Sequence, residues 1–263
     1  MPRMFIKPSR LRIGDTVGIV APSSAPPDPK AIDKSVAALE KLGFKPLLAK
    51  NARKRWGFLA GTDRERASDL MSMFTNRNVN AIICVRGGYG SARLLPLLDY
   101  DVIRKNPKIF IGYSDITSLH CAFLEKADLI SFHGPMLNSD FIKPSMPAFT
   151  LESFLRVLMH PQPAGSIRTG AGWHKTPPEE QPAAIRKGLA TGRLIGGNIS
   201  IICASLGTPY QPSFNGRILF FEDLDEVPYR FDRMLTQLLN AGVLRGIVGV
   251  AVGTNSNCTD PKA

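Results

Sequence analysis

The sequence lacks any run of about 18 consecutive apolar residues, so no transmembrane helix is predicted. Its basic N-terminal residues are not followed by an apolar stretch, which argues against a secretory signal. Only four cysteines occur among the 263 residues, and their separations match no metal-binding spacing. Cys84, Cys121 and Cys203 lie in apolar runs, where a buried, reduced thiol is the usual state. We therefore expect a cytoplasmic protein without a metal site.

Acidic residues are scarce relative to basic ones, with 22 Asp and Glu against 33 Lys and Arg and a formal net charge of +11. Such an excess can indicate a nucleic-acid partner. The basic residues are scattered, however, and the longest cluster, Arg53–Arg55, has no aromatic-rich basic motif beside it. We therefore expect a solvated basic surface and no nucleic-acid partner. With 44% hydrophobic and 21% charged residues, the composition is that of a globular protein.

Short apolar segments alternate with helical patterns in the first part of the chain. Strands are predicted at 15–21, 44–49, 81–85, 109–113 and 130–133, and helices at 31–42, 62–74, 91–98 and 116–125. This alternation is typical of an α/β fold with a parallel sheet and helical crossovers. Ligands bind such sheets outside the carboxyl ends of the strands. The candidate binding loops are therefore 22–29, 86–91 and 113–115.

The pattern changes between residues 161 and 187, where proline, glycine and polar residues dominate without periodicity. We interpret this segment as a linker between an N-terminal domain, 1–160, and a smaller C-terminal α/β domain, 188–263. In the second domain, strands are predicted at 217–221 and 246–253, and residues 188–197 indicate a strand and a turn. Helices are predicted at 199–206, capped by Asn198, and at 230–241.

Ser114 lies where a buried strand turns into a helix within two residues. Such a turn exposes a hydroxyl above the sheet edge and directs free N–H groups of the helix N-terminus towards it. This is the arrangement of a nucleophile elbow, although the Gly-x-Ser-x-Gly pattern is absent. The alternative is that Ser114 is only the N-cap of the helix.

A glycine-rich turn, Arg86–Ser91, follows the neighbouring strand. Its backbone could approach a ligand closely and supply half of an oxyanion hole, the other half being the N–H of Asp115. A phosphate-binding loop is the rival interpretation, but the turn matches neither standard glycine motif for phosphate binding. A simple tight turn is the third.

Glu222 ends an apolar strand, where a carboxylate could orient a catalytic imidazole. It could equally be an acidic cap for the following helix. Among the histidines, only His133 is expected near this site. His120 is expected on the wrong side of its helix, His160 at a helix end, and His174 in the irregular segment.

Taken in order, several short motifs resemble those of the serine LD-carboxypeptidase family, the murein tetrapeptide carboxypeptidases of peptidoglycan recycling. The resemblance covers essentially the whole chain. Its motifs are Gly14–Val17, Ala21–Ser24, Arg86–Gly90, Gly112–Asp115, His133–Met136, Gly196–Ser200, Gly207–Tyr210, Leu219–Asp223 and Pro228–Leu238. The ordered set is highly specific.

The resemblance implies a Rossmann-like N-terminal half, a smaller C-terminal half and an active site in the cleft between them. It implies a Ser–His–Glu triad in which Ser114 is the nucleophile and Glu222 the acid, with the N–H groups of Gly88 and Asp115 as the oxyanion hole. Residues of the same motifs that are expected to bind the substrate are Gly87, Tyr113 and Met136. No metal or organic cofactor is expected.

The implied substrate is a muropeptide, cleaved between meso-diaminopimelate and the terminal D-Ala. A related branch hydrolyses a peptide–nucleotide antibiotic and confers self-immunity, but the stretch Gly207–Tyr210 is more similar to the cell-wall branch. No membrane partner is expected, and a homodimer is left open.

The family's catalytic histidine lies in a Gly-His segment beyond the predicted strand 246–253, and this sequence stops before it. Loss of a triad member typically costs several orders of magnitude in rate. We therefore expect a truncated chain whose own activity is in doubt. The competing hypotheses are a muropeptide-binding protein without catalysis and a nucleotide-binding regulator that uses loop 86–91.

Overall fold

The computed structural model of the chain describes residues 4–143, 146–165 and 183–259. Its larger sheet has five parallel strands in the order β2-β1-β3-β4-β5. The strands are β1 (Thr16–Val20), β2 (Lys45–Leu48), β3 (Val79–Cys84), β4 (Ile109–Gly112) and β5 (Phe132–His133). The strand β4 is buried throughout and β3 almost so, because helices cover both faces of such a sheet.

Five helices belong to this part: α1 (Ala31–Lys41), α2 (Asp63–Thr75), α3 (Tyr100–Lys105), α4 (Thr117–Ala127) and α5 (Ala148–Met159). Short 3-10 helices span Ser91–Leu97 and Ser114–Ile116, and a π-helical turn spans Leu137–Phe141. The start of α2 is a capping box. The Thr62 hydroxyl accepts the Glu65 N–H, and the Glu65 carboxylate accepts the Thr62 N–H.

A second, smaller sheet has three parallel strands in the order β6-β7-β8. The strands are β6 (Arg193–Asn198), β7 (Arg217–Leu224) and β8 (Gly249–Ser256), and two helices accompany them, α6 (Ile199–Ala204) and α7 (Pro228–Asn240). Each sheet has its own cluster of buried apolar side chains, and the cluster of the larger sheet is much the more extensive.

The small sheet joins the larger one at the N-terminus of α4. The Asn198 N–H, at the end of β6, donates to Oγ1 of Thr117 at 3.0 Å. A Cβ on Gly197 would lie 2.5 Å from the same oxygen, so a larger residue would separate the two sheets here. Because Asn198 pairs with Glu222 on β7, this contact brings the end of β7 next to the turn that contains Ser114.

The sequence predicts the α/β fold and most of the elements correctly, including the capping box at Thr62 and the Asn198 cap, whose side chain accepts the Ile201 N–H. Several expectations are wrong in detail. The first strand of the smaller sheet begins only at Arg193, and the helix after it ends at Ala204. Residues 91–97 form a 3-10 helix that contains Pro96, and β7 continues through Glu222 to Leu224. The last strand begins at Gly249, because residues 241–246 form turns.

The expected linker lies largely outside the described residues, and the domain limits at 160 and 188 stay a prediction. Cys84, Cys121 and Cys203 are buried free thiols, as expected.

Candidate active site

Ser114 occupies the turn between β4 and α4 with a positive φ of 62°. Left-handed backbone of this kind is unfavourable for a non-glycine residue and persists only where the surroundings impose it. The residue is half-buried, with β4 wholly buried before it and α4 after it. The turn therefore presents the hydroxyl at the carboxyl edge of the sheet, as predicted for a nucleophile elbow.

The glycine-rich turn after β3 packs directly against Ser114. A Cβ on Gly87 would lie 3.3 Å from Oγ of Ser114 and 3.4 Å from the backbone nitrogen of Asp115. Gly88 has a positive φ of 108°, and a Cβ there would lie 2.5 Å from Oγ of Ser24. Gly88 thus requires glycine, and a side chain at Gly87 would be in tight contact with Ser114. The structure therefore brings Gly87, Gly88, Ser114 and Asp115 together.

The carboxylate of Asp115 fastens three loops at this edge. It accepts hydrogen bonds from Oγ of Ser23 at 2.5 Å and from the N–H of Ser91 at 2.9 Å. Its backbone carbonyl accepts a hydrogen bond from the Ser91 hydroxyl at 2.6 Å. The side chain is buried, so these bonds satisfy a carboxylate that water does not reach freely. The loops after β1, β3 and β4 are therefore held in fixed positions.

Arg66 on α2 supports the same loops, and sequence reasoning missed it. Its buried guanidinium donates to the backbone carbonyls of Pro22, Gly61 and Gly90 and pairs with Asp63. The loop after β1 and the glycine turn after β3 are thus held by one side chain. The local sequence around Arg66, directly after the capping box, does not predict its burial, because most of its partners are backbone carbonyls remote in sequence.

Glu222 lies on β7, and its side chain is 18% exposed. Its Oε1 is buried and has no hydrogen-bond partner within the described part of the chain. Burial raises the pKa of Glu222 to about 7, and the neighbouring charge of Asp223 contributes in the same direction. An acceptor in this state is suited to receive an N–H from a group that enters the site.

His133 is the histidine beside this carboxylate, as the sequence predicts. Its Nε2 lies 3.9 Å from Oε1 of Glu222, which is too long for a hydrogen bond. Burial lowers the pKa of His133 to about 4. With Glu222 protonating near pH 7, both groups are neutral between about pH 4 and pH 7, so the contact is no ion pair. The imidazole packs against the rings of Phe220 and Tyr113.

The other histidines do not join the site in the described structure. His120 is buried, with Nε2 2.8 Å from the Gly112 carbonyl and Nδ1 2.7 Å from Oγ of Ser131. Burial lowers its pKa to about 3, so it is a neutral residue of the core. His160 follows α5 as its C-cap, as expected, and His174 lies outside the described residues.

Tyr113 and Met136 differ in their access to the site. Tyr113 is half-buried beside His133, and burial raises the pKa of its phenol to about 12. The Met136 side chain is only 1% exposed and belongs to the core. A contact between Met136 and a substrate would therefore have to involve its backbone, whose N–H already donates to Asp140 at 2.9 Å.

Within the described ranges, no group of three His, Cys, Asp or Glu side chains is arranged to hold a metal ion. Nor does any helix in those ranges have the length and apolar character needed to cross a membrane. The site residues described above offer a hydroxyl, backbone N–H groups and a buried carboxylate.

Two family models match the chain. One describes the LD-carboxypeptidase N-terminal domain and matches residues 17–134. The other describes the LD-carboxypeptidase C-terminal domain and matches residues 191–263. The two matches include Ser114 and Glu222, respectively, so both halves of the candidate site fall within family-matched sequence.

Individual relatives agree with the family models. A probable murein peptide carboxypeptidase of Bacillus subtilis is 40% identical over 256 residues, covering 97% of this chain and 77% of its own. The microcin C7 self-immunity protein MccF of Escherichia coli is 32% identical over 274 residues, which cover 96% of this chain and 79% of MccF. The crystal structure of a muramoyltetrapeptide carboxypeptidase from Oxalobacter formigenes superposes with a TM-score of 0.77 at 30% identity. The superposition covers 93% of this chain and 78% of that structure's chain.

Proposed function

Because the chain belongs to the LD-carboxypeptidase family, we propose that it is a serine-type hydrolase that removes the terminal D-Ala from muropeptide tetrapeptides. The family membership and the murein peptide relative support the substrate class. The serine chemistry and the individual site residues are our own assignment, as are a cytoplasmic location and a role in peptidoglycan recycling.

The proposed reaction begins with Oγ of Ser114, which attacks the carbonyl carbon of the diaminopimelate residue. The general base that accepts its proton would be the imidazole that the family's Ser–His–Glu triad requires. The N–H groups of Gly88 and Asp115 stabilise the negative charge that forms on the carbonyl oxygen. The C–N bond to D-Ala then breaks, and the imidazole returns the proton to the leaving amine. Water hydrolyses the acyl-enzyme by the same steps and restores the Ser114 hydroxyl.

Glu222 is assigned as the carboxylate that orients the imidazole and stabilises its protonated form. The unpartnered Oε1 supports this role, because it is a buried acceptor that lacks the donor an imidazole would supply. His133, at 3.9 Å, is the imidazole beside it within the described residues, and its position does not make the hydrogen bond that a triad needs.

The observation that carries the proposal is the conformation of Ser114. Its positive φ, with Gly87 packed against Oγ, supports a nucleophile elbow rather than an ordinary helix N-cap. An N-cap has extended backbone and a side chain that accepts a helix N–H. Ser114 has neither the extended backbone nor, within the described residues, such a hydrogen bond.

The experiment is the release of D-Ala from L-Ala-D-Glu-meso-diaminopimelate-D-Ala, followed by mass spectrometry. Ser114→Ala should lower kcat/KM by about a thousandfold or more, whereas the exposed Ser9→Ala serves as the matched control. Unchanged turnover in Ser114→Ala would reject the nucleophile assignment. Binding of the peptide without any release would instead support the alternative of a muropeptide-binding protein.

The self-immunity reaction is the second candidate, because the microcin C7 self-immunity protein MccF is also related over most of the chain. The same serine chemistry would then act on a peptide–nucleotide conjugate. Parallel assays with the tetrapeptide and with an aminoacyl sulfamoyl adenosine separate the two: preference for the conjugate by kcat/KM would favour the self-immunity branch.

A further inference from the structure

Arg86 is the first charged residue after β3, and it lies at the point where the order of the sheet reverses. The strands run β2-β1-β3-β4-β5, so the crossover connections diverge between β1 and β3. In open α/β sheets, this switch point is where ligands bind. Nη1 of Arg86 reaches across it towards the carbonyl of Ala25, in the loop after β1.

The guanidinium of Arg86 is poorly satisfied for its degree of burial. Its one hydrogen bond in the described structure, to the Ala25 carbonyl, is 3.4 Å long, and no described carboxylate lies within 4.0 Å. A guanidinium offers five N–H donors, and it is unfavourable to leave most of them without an acceptor in a half-buried position. Arg66 and Arg93, by contrast, both pair with Asp63. Arg86 therefore has the capacity to bind an incoming anion.

The guanidinium also lies beside the proposed oxyanion hole. Its Nη2 is 3.6 Å from the position that a Cβ on Gly88 would take, and Gly87 packs against Ser114 in the same turn. In a substrate cleaved before its last residue, the terminal carboxylate is three bonds from the carbonyl carbon that is attacked. It must therefore lie within about 4 Å of that carbon, in the immediate surroundings of Gly88.

We propose that Arg86 binds the terminal carboxylate of the substrate and so restricts cleavage to the last residue of a peptide. The inference rests on the proposed function and adds a specificity determinant to it. A guanidinium can hold a carboxylate with two parallel hydrogen bonds, which fixes both the position and the orientation of the C-terminal residue. A peptide continuing beyond that residue would lack the charge and leave the guanidinium without its partner.

The test compares two substrates: the tetrapeptide with a free terminal carboxylate and the same peptide ending in D-alaninamide. The native enzyme should prefer the free carboxylate by about 100-fold or more in kcat/KM. Arg86→Met should lose most of this preference by slowing cleavage of the acid while leaving cleavage of the amide within a few-fold. Arg86→Lys, which keeps the charge without the planar fork, should retain part of it.

Arg55→Met is the matched control, because Arg55 donates to the carbonyl of Pro26 at 2.6 Å, one residue beyond Ala25. It should affect both peptides equally. If Arg86→Met also slows both peptides equally, Arg86 only supports the loop, and the proposal is overturned. Unchanged preference in Arg86→Met overturns it as well.

Binding measured in the Ser114→Ala background separates this proposal from the proposed reaction. Calorimetric titration with the acid and the amide should show tighter binding of the acid, lost when Arg86→Met is added. If the native chain releases no D-Ala but the acid still binds more tightly than the amide, the proposed reaction is rejected and the carboxylate-binding role of Arg86 is supported. Equal binding of acid and amide contradicts the carboxylate site whatever the turnover.

Discussion

The titration of Glu222 gives the protein a dependence of stability on pH that one substitution should remove. Burial raises its pKa from 4.5 to about 7, so the folded state binds a proton more tightly than the unfolded state. Stability from this group is therefore fully present below about pH 4.5 and is lost as the pH rises through 7. Glu222→Gln cannot ionise and should not lose it.

The expected difference follows from the size of the shift. One pKa unit corresponds to about 1.4 kcal/mol, so the upper limit above pH 8 is about 3 kcal/mol. The remaining exposure of the side chain, 18%, reduces the effect through water, and we expect about 1–3 kcal/mol. At about 2–4 °C per kcal/mol for a chain of this size, Glu222→Gln should melt several degrees above the native protein at pH 8.5.

The assay is thermal unfolding followed by circular dichroism at pH 5 and pH 8.5 in the same salt. The Tm difference between Glu222→Gln and the native protein should increase from pH 5 to pH 8.5. Other titrating groups, His133 included, are present in both proteins and largely cancel. Glu40→Gln, an exposed carboxylate on α1, is the control and should show no such change. A Tm difference for Glu222→Gln that is equal at both pH values would refute the reasoning.

Two further predictions concern the turn around the proposed nucleophile. The free energy of unfolding of Ser114→Gly should exceed that of Ser114→Ala by about 1 kcal/mol, because glycine adopts the φ of 62° without strain. Equal Tm values for the two variants would show that the turn is not strained. Gly88→Ala should lower kcat by about 100-fold or more, because a Cβ 2.5 Å from Oγ of Ser24 displaces the proposed oxyanion donor. A kcat equal to that of the native protein would exclude Gly88 from that role.

The part of the site next to Ser114 could be predicted because it depends on local signals. An apolar strand that runs into a helix locates the turn, and the glycines after β3 mark a close backbone approach. The parallel order of strands then places both loops at one edge of the sheet. His133 could be placed near Glu222 for a similar reason, since His133 ends β5 and Glu222 lies two residues before the carboxyl end of β7.

The supports of the site could not be predicted, because they depend on contacts between distant segments. Arg66 is buried against carbonyls from three loops, and nothing in its local sequence distinguishes it from a solvent-exposed helix residue. In the fold, the helix α3 was not predicted, because its six residues are too few to show a helical periodicity of apolar residues. Burial of Met136 likewise follows from packing between β5 and the core rather than from its motif.

Covalent labelling of Ser114 is the most direct test of the proposed chemistry. The native chain would be treated with a serine-reactive fluorophosphonate, and the modified peptide would be identified by mass spectrometry. We predict a single adduct on Ser114, absent from Ser114→Ala and prevented by excess muropeptide. Labelling of another serine with the same protection, or D-Ala release that persists with Ser114 replaced, would contradict its role as the nucleophile.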